Sequence, residues 1–427
     1  MRRLILAYIF LVHALFARNI AIVTPFPFGL APEDKYHTLA FADLVSKDLL
    51  LYTAMNENPV NETNTSYENI KRNVKKLSDK YNADVLIAAT ISPFKEDFVL
   101  RYFIYERSNP HQWKERTRSA RKERFYRLVT DFIDDFYPTV KIKRDGPPLI
   151  ALNEEAYTPL MGYYQELYDI GEKYRPTSRT YQYRRSDCYT KFYQFYQDNL
   201  WFNLDYCPIV LENGPPAVAD AVTASITKTL GESHHYVSYL SAVRFYHRYR
   251  VKVSQEDLGE SMKHISRAIE LRPLSYNYHF WLSKLFFLQE DFANAELTLE
   301  KVIDINPTHI PSYKGLISIL KGKGTTEHNE TIIRYATRVI EAESENTEMY
   351  NLVAGIYEGQ TSWSNAYYWY DAYYRTLDMQ IRNIGSTGIT NVRQYANLQY
   401  QSKYVAKKVA YAYRMAIETR AIVPARK

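Results

Sequence analysis

Cysteine is nearly absent: Cys188 and Cys207 are the only two among 427 residues, too few for a disulfide framework or a four-thiolate metal centre. Glycine is also scarce, with 14 residues where a chain of this length averages about 30. That favours long helices over a turn-rich β architecture. No stretch reaches the roughly 18 uninterrupted apolar residues needed to cross a bilayer. Three catalytic signatures are missing too: there is no glycine-rich phosphate loop, no Gly-x-Ser-x-Gly elbow and no His-Glu-x-x-His helix. The sequence therefore predicts no catalytic residue, no cofactor and no metal. The pair His234-His235 lacks a Cys, Asp or Glu at ligand spacing on the same helix face and reads as a solvated turn.

What is present suffices for a large core. Apolar residues make up 46% of the chain and charged residues 24%, and its length suggests two or three folding units. Tyrosine reaches 40 residues. The net charge of +6 is too small to argue for nucleic acid. Arg2 and Arg3 precede an apolar run from Leu4 to Phe16 that closes on Ala17. Residues 1–17 therefore read as a cleaved signal peptide, the alternative being a buried first strand or helix. Export would leave the mature chain periplasmic or secreted, with no transmembrane span.

Residues 18–145 read as an α/β unit. Asn19 to Val23 is a β-branched strand ended by Pro25 and Pro27, and helical spacing follows in Leu39, Phe41, Val45 and Leu49 and again in Ile70, Val74, Leu77 and Tyr81. Two helices are thus expected before the next strand, Asp84 to Thr90. Phe98 to Glu106 alternates, Ser108-Asn109-Pro110 turns, Gln112 to Arg118 pairs back, and a helix from Glu123 to Phe136 closes the unit.

Ile20-Ala-Ile-Val, Phe41-Ala-Asp-Leu-Val-Ser-Lys-Asp-Leu, Tyr81-Asn-Ala-Asp-Val-Leu-Ile-Ala-Ala-Thr, the hairpin ending Trp113-Lys-Glu-Arg and the closing helix together resemble the TolB amino-terminal type of domain. The resemblance implies a non-catalytic module used for protein contact in or near a bacterial envelope. Asn153-Glu-Glu-Ala-Tyr157 matches the opening with which such proteins begin a helical solenoid. In a bacterium the sequons at Asn61, Asn64 and Asn329 would be silent.

Further on, Ala268-Ile-Glu-Leu-Arg-Pro273 and Val302-Ile-Asp-Ile-Asn-Pro307 place equivalent prolines 34 residues apart, a period that resembles tetratricopeptide repeats. Four repeats fit over 241–380, the fourth displaced by a three-residue insertion near Gly322, and 381–427 supply a capping helix and tail. The expected fold class is an α/β N-terminal domain followed by an all-α, tetratricopeptide-like C-terminal solenoid. That resemblance implies a groove for an extended peptide or partner helix. By its register the groove is lined by Tyr246 and Arg250, then Asn277, Phe280, Lys284 and Phe287, then Lys314, Ser318 and Lys321, and last Asn351.

The middle, 146–240, opens on Gly146-Pro-Pro and holds eleven tyrosines between Tyr157 and Tyr206. It reads as a helical connector, with Tyr157, Leu160, Tyr164 and Leu167 on one helix and Tyr189, Phe192, Tyr193 and Tyr196 on another. Its aromatics suit packing, or alternatively a platform for cell-wall sugar rings or an unrecognised envelope-enzyme site. Cys188 and Cys207 read either as a disulfide or as two buried thiols. Lys114 to Arg127 carries seven basic residues against Glu115 and Glu123, the solvated face of a hairpin or a contact for an anionic envelope surface. The reading as a whole is an exported, non-enzymatic scaffold or assembly factor whose repeats hold a protein partner.

Overall fold

The structure, a computed structural model, describes residues 19–52, 56–60, 66–111, 114–142, 154–174, 179–387 and 392–419. The expected signal peptide and Trp113 lie outside them. A sheet of six strands occupies the N-terminal part: β1 (Asn19–Val23), β2 (Phe26–Pro27), β3 (Asn56–Val60), β4 (Val85–Phe94), β5 (Asp97–Glu106) and β6 (Lys114–Arg121). The main path runs β3-β1-β4-β5-β6, with β2 pairing the far end of β4. The β1 strand lies parallel to β3 and β4, Ile20 opposite Val85, whereas β4, β5 and β6 form antiparallel hairpins, Val85 opposite Glu106 and Asp97 opposite Arg121.

Successive side chains of a strand point to opposite faces, and here both faces are apolar. One presents Ile20, Ile22, Val85, Ile87, Leu100 and Tyr102 to α1 (Tyr36–Tyr52) and α4 (Tyr126–Val140), which answer with Phe41, Leu44, Val45, Leu128 and Phe132. The other presents Ala21, Val23, Leu86, Ala88 and Phe103 to Tyr67 and Ile70 of α2 (Tyr67–Arg72) and Val74 of α3 (Val74–Lys80).

Two details depart from the pattern read in the sequence. The single helix expected over 70–81 is two, broken at Asn73 with φ −110° and ψ 18°. An additional strand, β3, lies between the helices; its Asn-Glu-Asn-Pro-Val carries no apolar alternation, and Pro59 is tolerated because β3 is an edge strand.

Four helices follow: α5 (Glu154–Lys173), α6 (Arg179–Tyr196), α7 (Leu200–Asn213) and α8 (Pro216–Leu230). They share the core beneath the sheet, so the borders expected at 145/146 and 240/241 are not breaks in packing: one apolar cluster joins Ile20 of β1 to Tyr163, Tyr189, Trp201 and Val243. Tyr163 packs on Tyr164, Tyr189 and Phe202 at ring separations of 5.1, 5.4 and 5.2 Å. These rings face one another and form no open platform for sugars. Cys188 and Cys207 are free thiols, both buried, rather than a disulfide, and burial pushes each up to about 12.

The remainder is helical in antiparallel pairs: α9 (His235–Lys252) with α10 (Gln255–Leu271), α11 (Tyr276–Leu288), α12 (Phe292–Ile305), α13 (Ile310–Gly322) with α14 (Asn329–Ala342), α15 (Thr347–Gly359) with α16 (Trp363–Thr387), and α17 (Val392–Glu418). The first helices α11, α13 and α15 start at residues 276, 310 and 347, reproducing the 34-residue period and its three-residue insertion. Small residues sit where the repeat requires close approach: Ser261, Ala268, Ser283, Ala295, Ala336 and Ala366 are all buried. Among the described residues two compact units result, one of those up to 290 with 304–308, the other of 291–303 with those from 309 onward. The expected capping helix is α17, whose Val405 and Ala412 pack with Tyr370, Tyr373 and Leu377 of α16.

In the first unit the repeats begin on the α/β layer. His234 is not in a solvated turn: its side chain caps α9, Nδ1 accepting from the Tyr236 amide at 3.2 Å, while Nε2 lies 2.9 Å from the Leu51 carbonyl. Both contacts hold together only in the neutral tautomer that donates from Nε2. His235 meets the Tyr278 hydroxyl at 2.8 Å. Burial holds both imidazoles below the ordinary histidine range and brings His37, which lies 2.9 Å from the Tyr157 hydroxyl, to about 3.

A base whose folded pKa is depressed stabilises the fold above its unfolded value, near 6.5, and that stability is lost as pH falls towards the folded value. Two partly buried acids, Asp43 and Asp131, have raised pKa values and act in the opposite sense, but their ordinary range lies below this window. With three histidines against them, the urea midpoint of unfolding is expected to fall between pH 7 and pH 5. A midpoint unchanged over that range would show that these imidazoles take up protons freely in the folded state.

Candidate partner-binding surface

Some of the residues expected along the first helices come together in each unit: Tyr246, Phe280 and Lys284 in the first, and Lys314, Ser318 and Lys321 in the second. In the first unit Tyr246 and Arg250 stand on α9, and Asn277, Phe280, Lys284 and Phe287 on α11. The centre of this cluster is a residue outside the expected set, Trp281. Its ring packs edge-on against Tyr246 at 5.2 Å, and the Lys284 ammonium lies 4.5 Å from it and 4.7 Å from Phe280. Burial holds the Lys284 ammonium below the ordinary lysine range, with Glu212 of α7 opposing the shift. Lys284 is thus a cation held between rings rather than a free surface charge, worth about 1–2 kcal/mol to whatever keeps the rings in place. Arg250 is exposed and makes no ion pair among the described residues.

In the second unit a pocket of about 280 Å³ opens between α13 and α15, lined by Lys314, Ile317, Ser318, Lys321, Asn346, Glu348 and Met349. Three residues of the expected set therefore meet at one site. Asn351 is not among the lining residues; Asn346, Glu348 and Met349 take that side, because the turn entering α15 faces the pocket. Ile317 and Met349 are buried and form its apolar floor.

The two lysines differ in state. Lys314 Nζ donates to both carboxylate oxygens of Glu343 at 2.9 and 2.7 Å, and Asn346 donates to the same group at 2.8 Å. Burial pushes the Glu343 carboxyl up, but these bonds outweigh it and hold the group below the ordinary range. Lys314 is thus neutralised and not the free cation the sequence suggested. Lys321 is exposed, and neither it nor Glu348 has an ion-pair partner among the described residues. The site therefore offers one unpaired positive and one unpaired negative group, an apolar floor and the Ser318 hydroxyl.

The basic run of the β6 hairpin is partly paired: Arg116 and Arg118 both reach Asp135, at 2.8 and 2.5 Å, and Lys122 reaches Asp34 at 2.5 Å, whereas Arg121, Arg124 and Arg127 are exposed. Among the described residues no group of three His, Cys, Asp or Glu is placed to hold a metal ion, and no helix is long and apolar enough to cross a membrane.

No protein-family model matches the chain, and no curated protein matches it. Solved structures do. It is similar to MamA at 16% identity, over 40% of this chain and 93% of that one, with a TM-score of 0.27. YrrB, described as a TPR protein with an unusual peptide-binding site, matches at 13% identity over 45% of this chain and 93% of that one, with a TM-score of 0.30. Yeast Tom70 matches at 11% identity over 70% of this chain and 56% of its own length, with a TM-score of 0.38. The repeat architecture itself rests on the 34-residue spacing and paired helices of this chain.

Proposed function

We propose that this chain is a non-enzymatic protein-interaction scaffold that holds an extended peptide segment against the first helices of its repeats. The pocket beside Lys321 carries this reading. An apolar side chain seats on Met349 and Ile317, an acidic neighbour meets Lys321, and Ser318 bonds the peptide backbone. The peptide-binding function with which YrrB is described agrees with it. The N-terminal sheet and its helices are read as a TolB-amino-type α/β domain, and the Arg2-Arg3 start with its apolar run as an export signal to the periplasm, where the scaffold would meet its partner.

The partly buried carboxylates Asp43 and Asp205 both bond Lys47 Nζ, and each also accepts from a tyrosine hydroxyl. That makes them packing elements in this reading.

Peptides selected from a random display library on the full chain, then measured by fluorescence anisotropy, test the proposal. Lys321→Glu is expected to weaken them by about tenfold, because the reversal replaces attraction of an acidic side chain by repulsion. Lys314 is the poorer probe, since Lys314→Glu sets two carboxylates together. Selected peptides that bind wild type and Lys321→Glu alike would place recognition elsewhere.

A further inference from the structure

The outer face of α17 forms a second contact surface, distinct from the pocket. This helix has five basic residues and a single acid, Glu418. Its inner face carries Val405, Ala412 and Ala416, all buried. Spacings of three, four and seven residues bring Tyr400, Lys403, Tyr404, Lys407 and Tyr411 onto the opposite side, with Arg393 and Arg414 extending the same stripe at either end.

Tyr400 is 73% exposed and Tyr404 52%, large rings for open solvent. Tyr411 is held in place, edge-on to Trp363 at 5.5 Å with the Arg414 guanidinium 5.7 Å over its ring. Charge on the stripe is also uncompensated. The one inward lysine, Lys408, is neutralised by Glu358 at 2.7 Å, and Arg414 has only Glu418 at 3.8 Å, whereas Arg393, Lys403 and Lys407 have no ion-pair partner among the described residues. From Arg393 to Arg414 the stripe runs about 32 Å along the helix at 1.5 Å per residue.

We propose that this face docks an acidic amphipathic helix of a partner protein, its Asp and Glu residues spaced at three and four to meet Arg393, Lys403, Lys407 and Arg414 while its small side chains lie between the tyrosine rings. A straight ridge on a helix matches a second helix laid alongside it, and the one-signed charge calls for the opposite sign. A second copy of this chain does not suit the face, because self-pairing would set lysine against lysine. A bilayer suits it less, since the outward rings end in hydroxyls and the exposed aliphatic side chains, Val392 and Ile417, stand only at the two ends of the helix.

The test uses the full chain and two fluorescein-labelled synthetic helices, alanine- and leucine-based, one with glutamate and the other with lysine along a single face. The glutamate helix is expected to bind and the lysine helix not. Lys403→Glu with Lys407→Glu should weaken the glutamate helix by about tenfold or more and admit the lysine helix, at unchanged melting because exposed lysines contribute little to folding. Lys321→Glu should leave both affinities unchanged, which separates this surface from the pocket. Equal binding of the two helices, no binding of either, or indifference of the glutamate helix to the double reversal overturns the proposal. So does adsorption of the wild-type chain to phosphatidylserine-rich vesicles that the double reversal abolishes, which would assign the stripe to a membrane surface.

Discussion

Lys47→Met is expected to destabilise the first unit by about 3–5 kcal/mol at pH 7, the scale of removing one partner from a buried ion pair. Lys47 stands in the middle of α1, and its side chain is buried where that helix meets α7. Nζ donates to Asp43 at 2.5 Å, to Asp205 at 2.6 Å and to the Trp201 carbonyl at 3.0 Å. Tyr163 donates to Asp205 and Tyr164 to Asp43, so both carboxylates are anchored from the other side as well. Methionine matches the volume of the stem but leaves Asp43 without a counter-charge and Asp205 with only the more distant Arg185.

Asp43 supplies the pH signature. Burial, and then Asp205, raise its carboxyl, and the Lys47 ammonium is what counters them. Once the ammonium is gone the folded pKa rises further. A group whose folded pKa exceeds its unfolded value adds stability that is present at low pH and lost as pH rises through the folded value. The penalty of Lys47→Met is therefore expected to shrink when unfolding is measured at pH 5 instead of pH 7. An equal penalty at both, or one below about 1 kcal/mol, would show the triad open to water.

Arg272→Met is the second large effect. Arg272 is 1% exposed, and its guanidinium donates to the Leu50 carbonyl at 2.8 Å and the Leu49 carbonyl at 3.5 Å, in the last turn of α1. With His234 on the Leu51 carbonyl, it completes a cap made by residues more than 180 positions away in sequence. A positive group at a helix C-terminus also meets the negative end of the macrodipole. Each buried carbonyl left without a donor costs roughly 1–3 kcal/mol, so a loss of about 2–4 kcal/mol is expected in chemical denaturation. The effect should appear in amide exchange along α1, with the amides of α17 unchanged. Loss confined to the repeats would mean that α1 caps itself.

Much of this fold was legible because its strands and helices write their period in apolar residues. Asn19 to Val23, Phe98 to Glu106 and the face of α4 are cases where local pattern and burial agree. The β3 strand was invisible because Asn56-Glu-Asn-Pro-Val is held by backbone pairing with β1. The repeat register was legible for a related reason: Ala295 and Ala336 are small where helices cross, and the two prolines count the period. That register alone placed Lys314, Ser318 and Lys321 together. It could not show that Glu343 neutralises Lys314, nor that Trp281 gathers Tyr246 and Lys284, because those contacts are set by neighbouring helices and not by the helix on which the residue is counted. The histidine pair was misread for the same reason, its partners Leu51 and Tyr278 lying far off in sequence.

The shared core also sets an order of events during synthesis. The sheet and α1 are complete early, yet their lower surface waits for Tyr163, Trp201 and Val243, and the end of α1 waits for Arg272. At 5–20 residues per second, the interval between Leu50 and Arg272 leaves the end of α1 uncapped for roughly 10–45 s. Contacts of such sequence separation also close slowly once the chain is whole. A nascent chain of this kind therefore exposes an apolar face of its sheet until the helices as far as Val243 have been made.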